Sequence, residues 1–147
     1  MEIKQLTEDE LGIMRDALKN LAEYHNNLDT PFAGEYPFIP IEESVEDARK
    51  EMLAGEALIE AVLDDGNVAG FCKATAHDGH GDIHYLYVYP EYRGRGYGSL
   101  MMERMLAYFR ENGVQFAELR VVAGNKSRDF YEQYGFQLRS QIMAKRI

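Results

Sequence analysis

The chain has 147 residues, 46% of them hydrophobic, the size and apolar content of one domain with one core spanning residues 1–147. A formal charge of −9 argues against a nucleic-acid binder, because phosphate contacts need clustered lysine and arginine, and suits cationic small molecules or basic peptides instead. The single cysteine, Cys72, excludes an internal disulfide, and the sequence has no apolar run of signal-peptide or membrane length, so the expectation is a soluble, cytoplasmic protein with no membrane partner.

"EIKQL" is short enough for a first strand, and Thr7…Glu10 has the spacing of a capping box. Leu11, Met14, Ala17, Leu18, Leu21 and His25 recur at three- and four-residue steps and predict a helix ending near Asn26 or Asn27. Pro31, Pro37 and Pro40 break the pattern over residues 28–43, which read as a long surface loop of the kind that lines sites. Ser44 with Asp47 predicts the cap of a short second helix that stops at Gly55. "ALIEAVL" and "VAGFCKATAH" flank Asp65-Gly66 and predict an antiparallel hairpin; a second turn at "DGHG" leads into "DIHYLYVYP", the third strand of a meander. Leu100, Met101, Met105, Leu106 and Phe109 predict a helix from Gly98 to Asn112-Gly113, and "VQFAELRVV" reads as a strand that pairs in parallel after this crossover. A last helix is expected from about Asn125 to Tyr134, stopped by Gly135, and "FQLRSQIMAKRI" reads as a final strand. The fold class is therefore α/β (α+β), with a mixed, mostly antiparallel sheet flanked by about four helices.

The three glycines of "YRGRGYGS" sit where a strand hands over to a helix. Unpaired N–H groups and the positive end of the helix dipole make that junction a docking point for a pyrophosphate, provided side chains stay out of the way. Arg93 and Arg95 can add charge there or simply be solvated. The spacing Gly94-x-Gly96-x-Gly98 after antiparallel hairpins does not fit a dinucleotide fold, and a nucleotide-triphosphate loop would need Gly-Lys followed by Ser or Thr, which is absent.

The run Arg93-x-x-Gly96-x-Gly98 after "LYVYP" resembles the acetyl-CoA-binding motif of the GCN5-related N-acetyltransferase (GNAT) superfamily. Asn125, Phe130, Tyr131, Gly135 and Phe136 resemble that family's second motif, and the element order resembles it across nearly the whole chain. The resemblance implies an acetyl-CoA-dependent N-acetyltransferase that works by direct transfer in a ternary complex, with a small-molecule amine or basic peptide as acceptor. A homodimer is common in the family. A GNAT-like acyl-CoA-binding sensor or regulatory module without turnover is the alternative. Carried over residue by residue, the backbone of Leu86, Tyr87 and Val88 binds the pantetheine arm, and the Leu86 N–H stabilises the oxyanion. The amides of Arg93, Gly94, Arg95, Gly96, Tyr97, Gly98 and Ser99 hold the pyrophosphate, Asn125 and Ser127 touch the pantetheine or adenosine-phosphate part, and Tyr131 protonates the departing thiolate.

An alkylamine with a pKa of ~10.4 must lose a proton before it attacks a thioester. Asp82 and His84 alternate with Ile83 and Tyr85, so both are expected on one face of the third meander strand; either, or a water chain, is a candidate base, with His84 the better matched to neutral pH. "HDGHGDIH" offers His77, His80, Asp82 and His84 as metal ligands, but the segment contains a turn and lacks the spacing of a helical His pair or any cysteine pair, so no metal is expected.

Overall fold

In the computed structural model, which describes residues 1–147, the chain runs β1 (Glu2–Gln5), α1 (Gly12–Asn26), α2 (Ile41–Leu53), β2 (Ala57–Asp64), β3 (Asn67–His77), β4 (His80–Val88), α3 (Tyr97–Glu111), β5 (Phe116–Leu119) and α4 (Arg128–Glu132). The strands form one sheet in sequence order, β1 to β4 antiparallel and β5 parallel to β4, which is the mixed, mostly antiparallel arrangement expected. Asp65-Gly66 and Asp78-Gly79 carry positive φ at both positions (50° and 80°, 49° and 78°), the backbone that two-residue hairpins between twisted strands require. No helix is long and apolar enough to cross a membrane.

Each face of the sheet buries its own apolar layer. Met14, Ala17 and Leu18 of α1 and Val45 and Ala48 of α2 pack on Ile59, Ala61 and Phe71. On the other face α3 lays Met101, Met102, Met105 and Phe109 on Val62, Cys72, Ala74 and Ile83, a stripe at helical spacing that fixes the N-terminus of α3 near the end of β4. The buried carboxylate of Glu60 is held by both arms of Arg104 from α3, at 2.5 Å each. Buried Lys73 is likewise paired with Glu51 of α2, at 2.9 Å. An unpaired charge at either position would carry a large desolvation cost.

The decisive irregularity lies in β4. Lys73 pairs with Tyr85 but Ala74 pairs with Ile83, so His84 is an extra residue with no partner of its own on β3. Alternation resets there. Ile83 packs with the α3 layer and Tyr85 with the α1–α2 layer, as simple alternation from Ile83 would not allow, and Leu86 and Val88 return to the α3 side.

Several expected boundaries shift. The Thr7–Glu10 box is present, yet it caps a 3-10 turn, Glu8–Glu10, one turn ahead of α1. The second helix starts at Ile41, right after Pro40, leaving Ser44 buried inside it rather than capping it. The third helix begins at Tyr97, one residue before Gly98. β5 is limited to four residues and α4 to five. The final strand does not form: residues 137–147 have no regular structure, and their attachments are side-chain bonds, Arg139 to Glu118 and Arg146 to Glu35 and the carbonyls of Pro31 and Ala33.

Gly81 faces α3 so closely that a Cβ there would lie 2.7 Å from the ring of buried Phe109. Gly81→Val overpacks this contact, and urea unfolding is expected to register a loss of about 1–3 kcal/mol.

Candidate active site

β5 pairs with β4 only from His80 to Ile83, so from His84 to Val88 the outer edge of β4 has no strand beside it. Hydrogen bonding in an antiparallel pair alternates, and the Tyr89 N–H donates to the Ala69 carbonyl; Tyr87 and Tyr85 therefore bond inward to β3, while Leu86 and Val88 turn their N–H and C=O groups outward. The Val88 carbonyl accepts from Arg93 Nε at 3.0 Å. The outward groups of Leu86 and the Val88 N–H line an open strand edge. Of the three residues expected to present backbone there, Tyr87 alone turns its groups the other way.

This edge forms one wall of a cavity of about 300 Å³ lined by His84, Leu86, Tyr87, Val88, Arg93, Asn125, Ser127 and Tyr131, together with Leu21, Tyr24, His25, Tyr85 and Arg120. A smaller hollow of about 250 Å³ between α3 and Leu58 lies apart from these groups. Asn125 Oδ1 accepts the Ser127 N–H at 2.9 Å and the Tyr24 hydroxyl at 3.4 Å, which ties the α4 approach to α1 and leaves the Asn125 amide nitrogen free to donate. Burial raises the Tyr131 pKa above the usual phenol value, with Ser127 acting in the opposite sense, so the hydroxyl keeps its proton at neutral pH. The His84 ring is 2.8 Å from Thr75 Oγ1. Although the residue keeps contact with solvent, its pKa is lowered first by desolvation among its neighbours and then by Lys73 and Arg120, against the raising influence of Glu51 and Asp82, so the imidazole is neutral and able to accept a proton.

The glycine turn meets this cavity at the Val88 end. Gly94 and Gly96 have φ of 79° and 83° with open space around them, and the first helical N–H to find a partner is that of Leu100, so the amides of Tyr97, Gly98 and Ser99 are left without one. A Cβ on Gly98 would lie 3.8 Å from Phe130 and 3.9 Å from Val88, so α4 closes directly over the turn and the two sequence motifs touch. The two arginines part company here. Arg93 stacks on Tyr24 and Tyr87 beside the cavity, whereas Arg95 is drawn to Asp64 at 2.8 Å, where the Tyr97 hydroxyl also bonds, at 2.6 Å.

Asp82 is the cross-strand partner of Thr75, and His84 bonds Thr75, so the two carry their side chains on one side of the sheet as expected, the second by way of the bulge. Asp82 does not line the cavity. It lies 3.5 Å from His80, which is 3.2 Å from Glu118 on β5; the ligand atoms of these three fall within 4.8 Å of one another, and the second Glu118 oxygen is taken by Arg139 at 2.9 Å. His77 points elsewhere, to Glu56 and Asp78. Sequence reasoning missed Tyr24 and Arg120: Tyr24 lies just off the apolar stripe of α1, and Arg120 is the first residue past the paired part of β5, a position with no local signature.

The family model for the acetyltransferase (GNAT) family matches residues 12–136. The chain belongs to the GNAT family. Among curated relatives, it is 33% identical over 72 residues to an uncharacterized N-acetyltransferase of Methanocaldococcus jannaschii, covering 45% of this chain and 32% of that protein. It is 27% identical over 75 residues to the [ribosomal protein bS18]-alanine N-acetyltransferase of Haemophilus influenzae, covering 51% of each. The chain thus matches these relatives over a third to a half of their length. Its fold is similar to that of PaiA N-acetyltransferase from Thermoplasma acidophilum, solved in complex with coenzyme A, with a TM-score of 0.73 and 19% identity over 96% of this chain and 92% of that one.

Because the His84 pKa is lowered, its NMR titration is expected to have a midpoint below 6.5, and Thr75→Val is expected to leave the ring neutral at pH 7 while shifting its chemical environment. A midpoint above 6.5 would mean that the carboxylates Glu51 and Asp82 outweigh desolvation.

Proposed function

We propose that residues 1–147 act as one acetyltransferase domain that transfers the acetyl group of acetyl-CoA directly to a primary amine bound beside it. The observation that carries this reading is the open outer edge of β4 running into the glycine turn of α3: outward groups of Leu86 and Val88 for an amide-bearing arm, then unpaired helix N–H groups for a pyrophosphate. Family membership and the coenzyme A complex of the Thermoplasma protein support it.

On this reading, the amine nitrogen, its proton given to His84 directly or through water, forms a bond to the acetyl carbonyl carbon. The Leu86 N–H donates to the carbonyl oxygen as it takes on negative charge. The C–S bond then breaks, and the leaving sulfur takes the proton of the Tyr131 hydroxyl, which burial has kept in place. The nitrogen gives up two protons in all, one before attack and one from the positively charged nitrogen of the tetrahedral intermediate; one replaces, by way of His84 and solvent, the Tyr131 proton that the sulfur carries off, and the other is released, so the products are the N-acetylated amine, CoA thiol and one proton. Arg93, Gly94, Gly96, Gly98 and Ser99 surround the pyrophosphate in this scheme, with Asn125 and Ser127 contacting the arm; Arg95 and Tyr97 contribute backbone, since their side chains are engaged by Asp64.

Two substitutions test the assignment. Gly96 has no neighbour within 4 Å of an added Cβ, and aspartate already adopts positive φ at Asp65 and Asp78, so Gly96→Asp is expected to fold yet to abolish acetyl-CoA binding in calorimetry by setting a carboxylate against the pyrophosphate. Tyr131→Phe is expected to lower kcat by about 10²- to 10⁴-fold with acetyl-CoA affinity retained. Acetyl-CoA binding without thiol release from any amine would favour a sensor over an enzyme.

A further inference from the structure

The cavity of a strongly acidic protein is lined by two arginines and no carboxylate. Of the ten arginines, Arg15, Arg49, Arg95, Arg104, Arg128, Arg139 and Arg146 are each in an ion pair, and Arg110 lies in the last turn of α3, where a cation meets the negative end of the helix. Arg93 donates to the Val88 carbonyl and stacks on two tyrosines at the pyrophosphate end. Arg120 alone faces the cavity with neither an ion pair nor a hydrogen bond. In a chain with 25 acidic residues, a guanidinium left without one beside a ligand cavity is a binding group in waiting.

Its location excludes the cofactor's pyrophosphate as its partner. Arg120 follows Leu119, the β5 partner of Ile83, so it stands at the His84 end of the open edge. From His84 to Val88 the strand advances four residues, about 13 Å at ~3.3 Å per residue, further than one arginine side chain spans. The anion that Arg120 can reach therefore lies at the end of the cavity where the acyl group and the acceptor meet. His84 is in the same place, so an acceptor whose nitrogen approaches His84 has any anionic substituent a few bonds away within reach of Arg120.

We propose that Arg120 is the anchor for a carboxylate on the acceptor, so that the amine acetylated is an amino carboxylic acid rather than a polyamine or an aminoglycoside. The guanidinium forms a two-pronged hydrogen-bonded pair with the carboxylate and turns the amino group toward His84. This inference rests on the acetyltransferase reading above. It reverses the preference for cationic partners that net charge alone implies, because the local field of the cavity, not the sum over the surface, acts on a bound ligand. The Arg120 charge also contributes to keeping His84 neutral, so one residue serves both orientation and proton acceptance.

The test compares wild type, Arg120→Met and Arg120→Lys by thiol release from acetyl-CoA. The acceptors are glycine, L-alanine, L-glutamate, β-alanine and γ-aminobutyrate, each beside its carboxamide, with spermidine as the cationic control. Wild type is expected to prefer at least one free acid over its carboxamide by roughly 10- to 100-fold in kcat/KM, the scale of one charge-assisted pair. The carboxamide's amine is the less protonated of the two at neutral pH, so amine basicity cannot produce that preference. Arg120→Met is expected to bring the ratio close to one through KM, with acetyl-CoA affinity retained, and Arg120→Lys to keep part of it. Equal use of acid and carboxamide, a preference for spermidine, or a ratio that survives Arg120→Met would each overturn the proposal while leaving acetyl transfer standing. If no acceptor releases thiol, the acetyltransferase reading fails separately. Calorimetry of CoA-loaded protein with the N-acetyl amino acids then decides the anchor: binding lost in Arg120→Met sustains it, and no binding by wild type overturns it.

Discussion

The site depends on a single failure of pairing. β5 accompanies β4 for four residues and stops at Ile83, and the next residue, His84, is the one that β3 cannot pair either. Backbone groups left without partners at a buried position are costly, so a sheet keeps such a gap only where something else satisfies them. Here the outward groups of Leu86 and Val88 open on a cavity, and one of them, the Val88 carbonyl, is already taken by Arg93. The same bulge directs His84 toward Thr75 and returns Leu86 to the α3 layer, so the strand delivers a ring to one side and an open edge to the other.

The two packed layers make this gap rigid. The methionine and Phe109 stripe seats α3 so that its first turn lies at the end of the open edge, and Phe130 of α4 comes within contact of Gly98 from above. An added Cβ at Gly98 would meet that ring and Val88 only at ordinary contact distance, 3.8 and 3.9 Å, whereas positive φ at Gly94 and Gly96 excludes most other residues from the turn. The backbone path of the turn is thus what requires glycine, at Gly94 and Gly96.

Charge is distributed against the grain of the composition. Most arginines are consumed in pairs with surface or buried carboxylates, including the bidentate grip of Arg104 on Glu60, and the acids remain outside the cavity lining. Arg93 and Arg120 are left to set the potential inside, one at each end of the open strand. Net charge says little about such a site because pair interactions weaken steeply with distance and screening, whereas a guanidinium facing the ligand acts at contact.

Elements whose cause is local were legible in the sequence. The helical stripes of α1 and α3, the Asp-Gly turns and the glycine-rich handover are each written in a few consecutive residues, because spacing and φ preference act within one or two turns of chain. The order of strands and helices sufficed for the fold class, and the resemblance carried by the two motifs picked out Leu86, Tyr87, Val88, Arg93, Asn125, Ser127 and Tyr131 of the cavity lining. The start of α2 at Ile41 was obscured because Ser44 has the chemistry of a cap, while Pro40 before the helix has no side-chain cap to recognise. The final strand was misread because alternation in "FQLRSQIMAKRI" describes a face, and a strand also needs a neighbouring edge; that segment is fastened instead by Arg139 and Arg146. Only tertiary structure decided which partner each strand lacked, that His84 is the extra residue, that Arg95 turns to Asp64 while Arg93 stays, and that Arg120 faces the cavity without an acid beside it. All four depend on register and distance between segments far apart in the chain, and no local pattern records those.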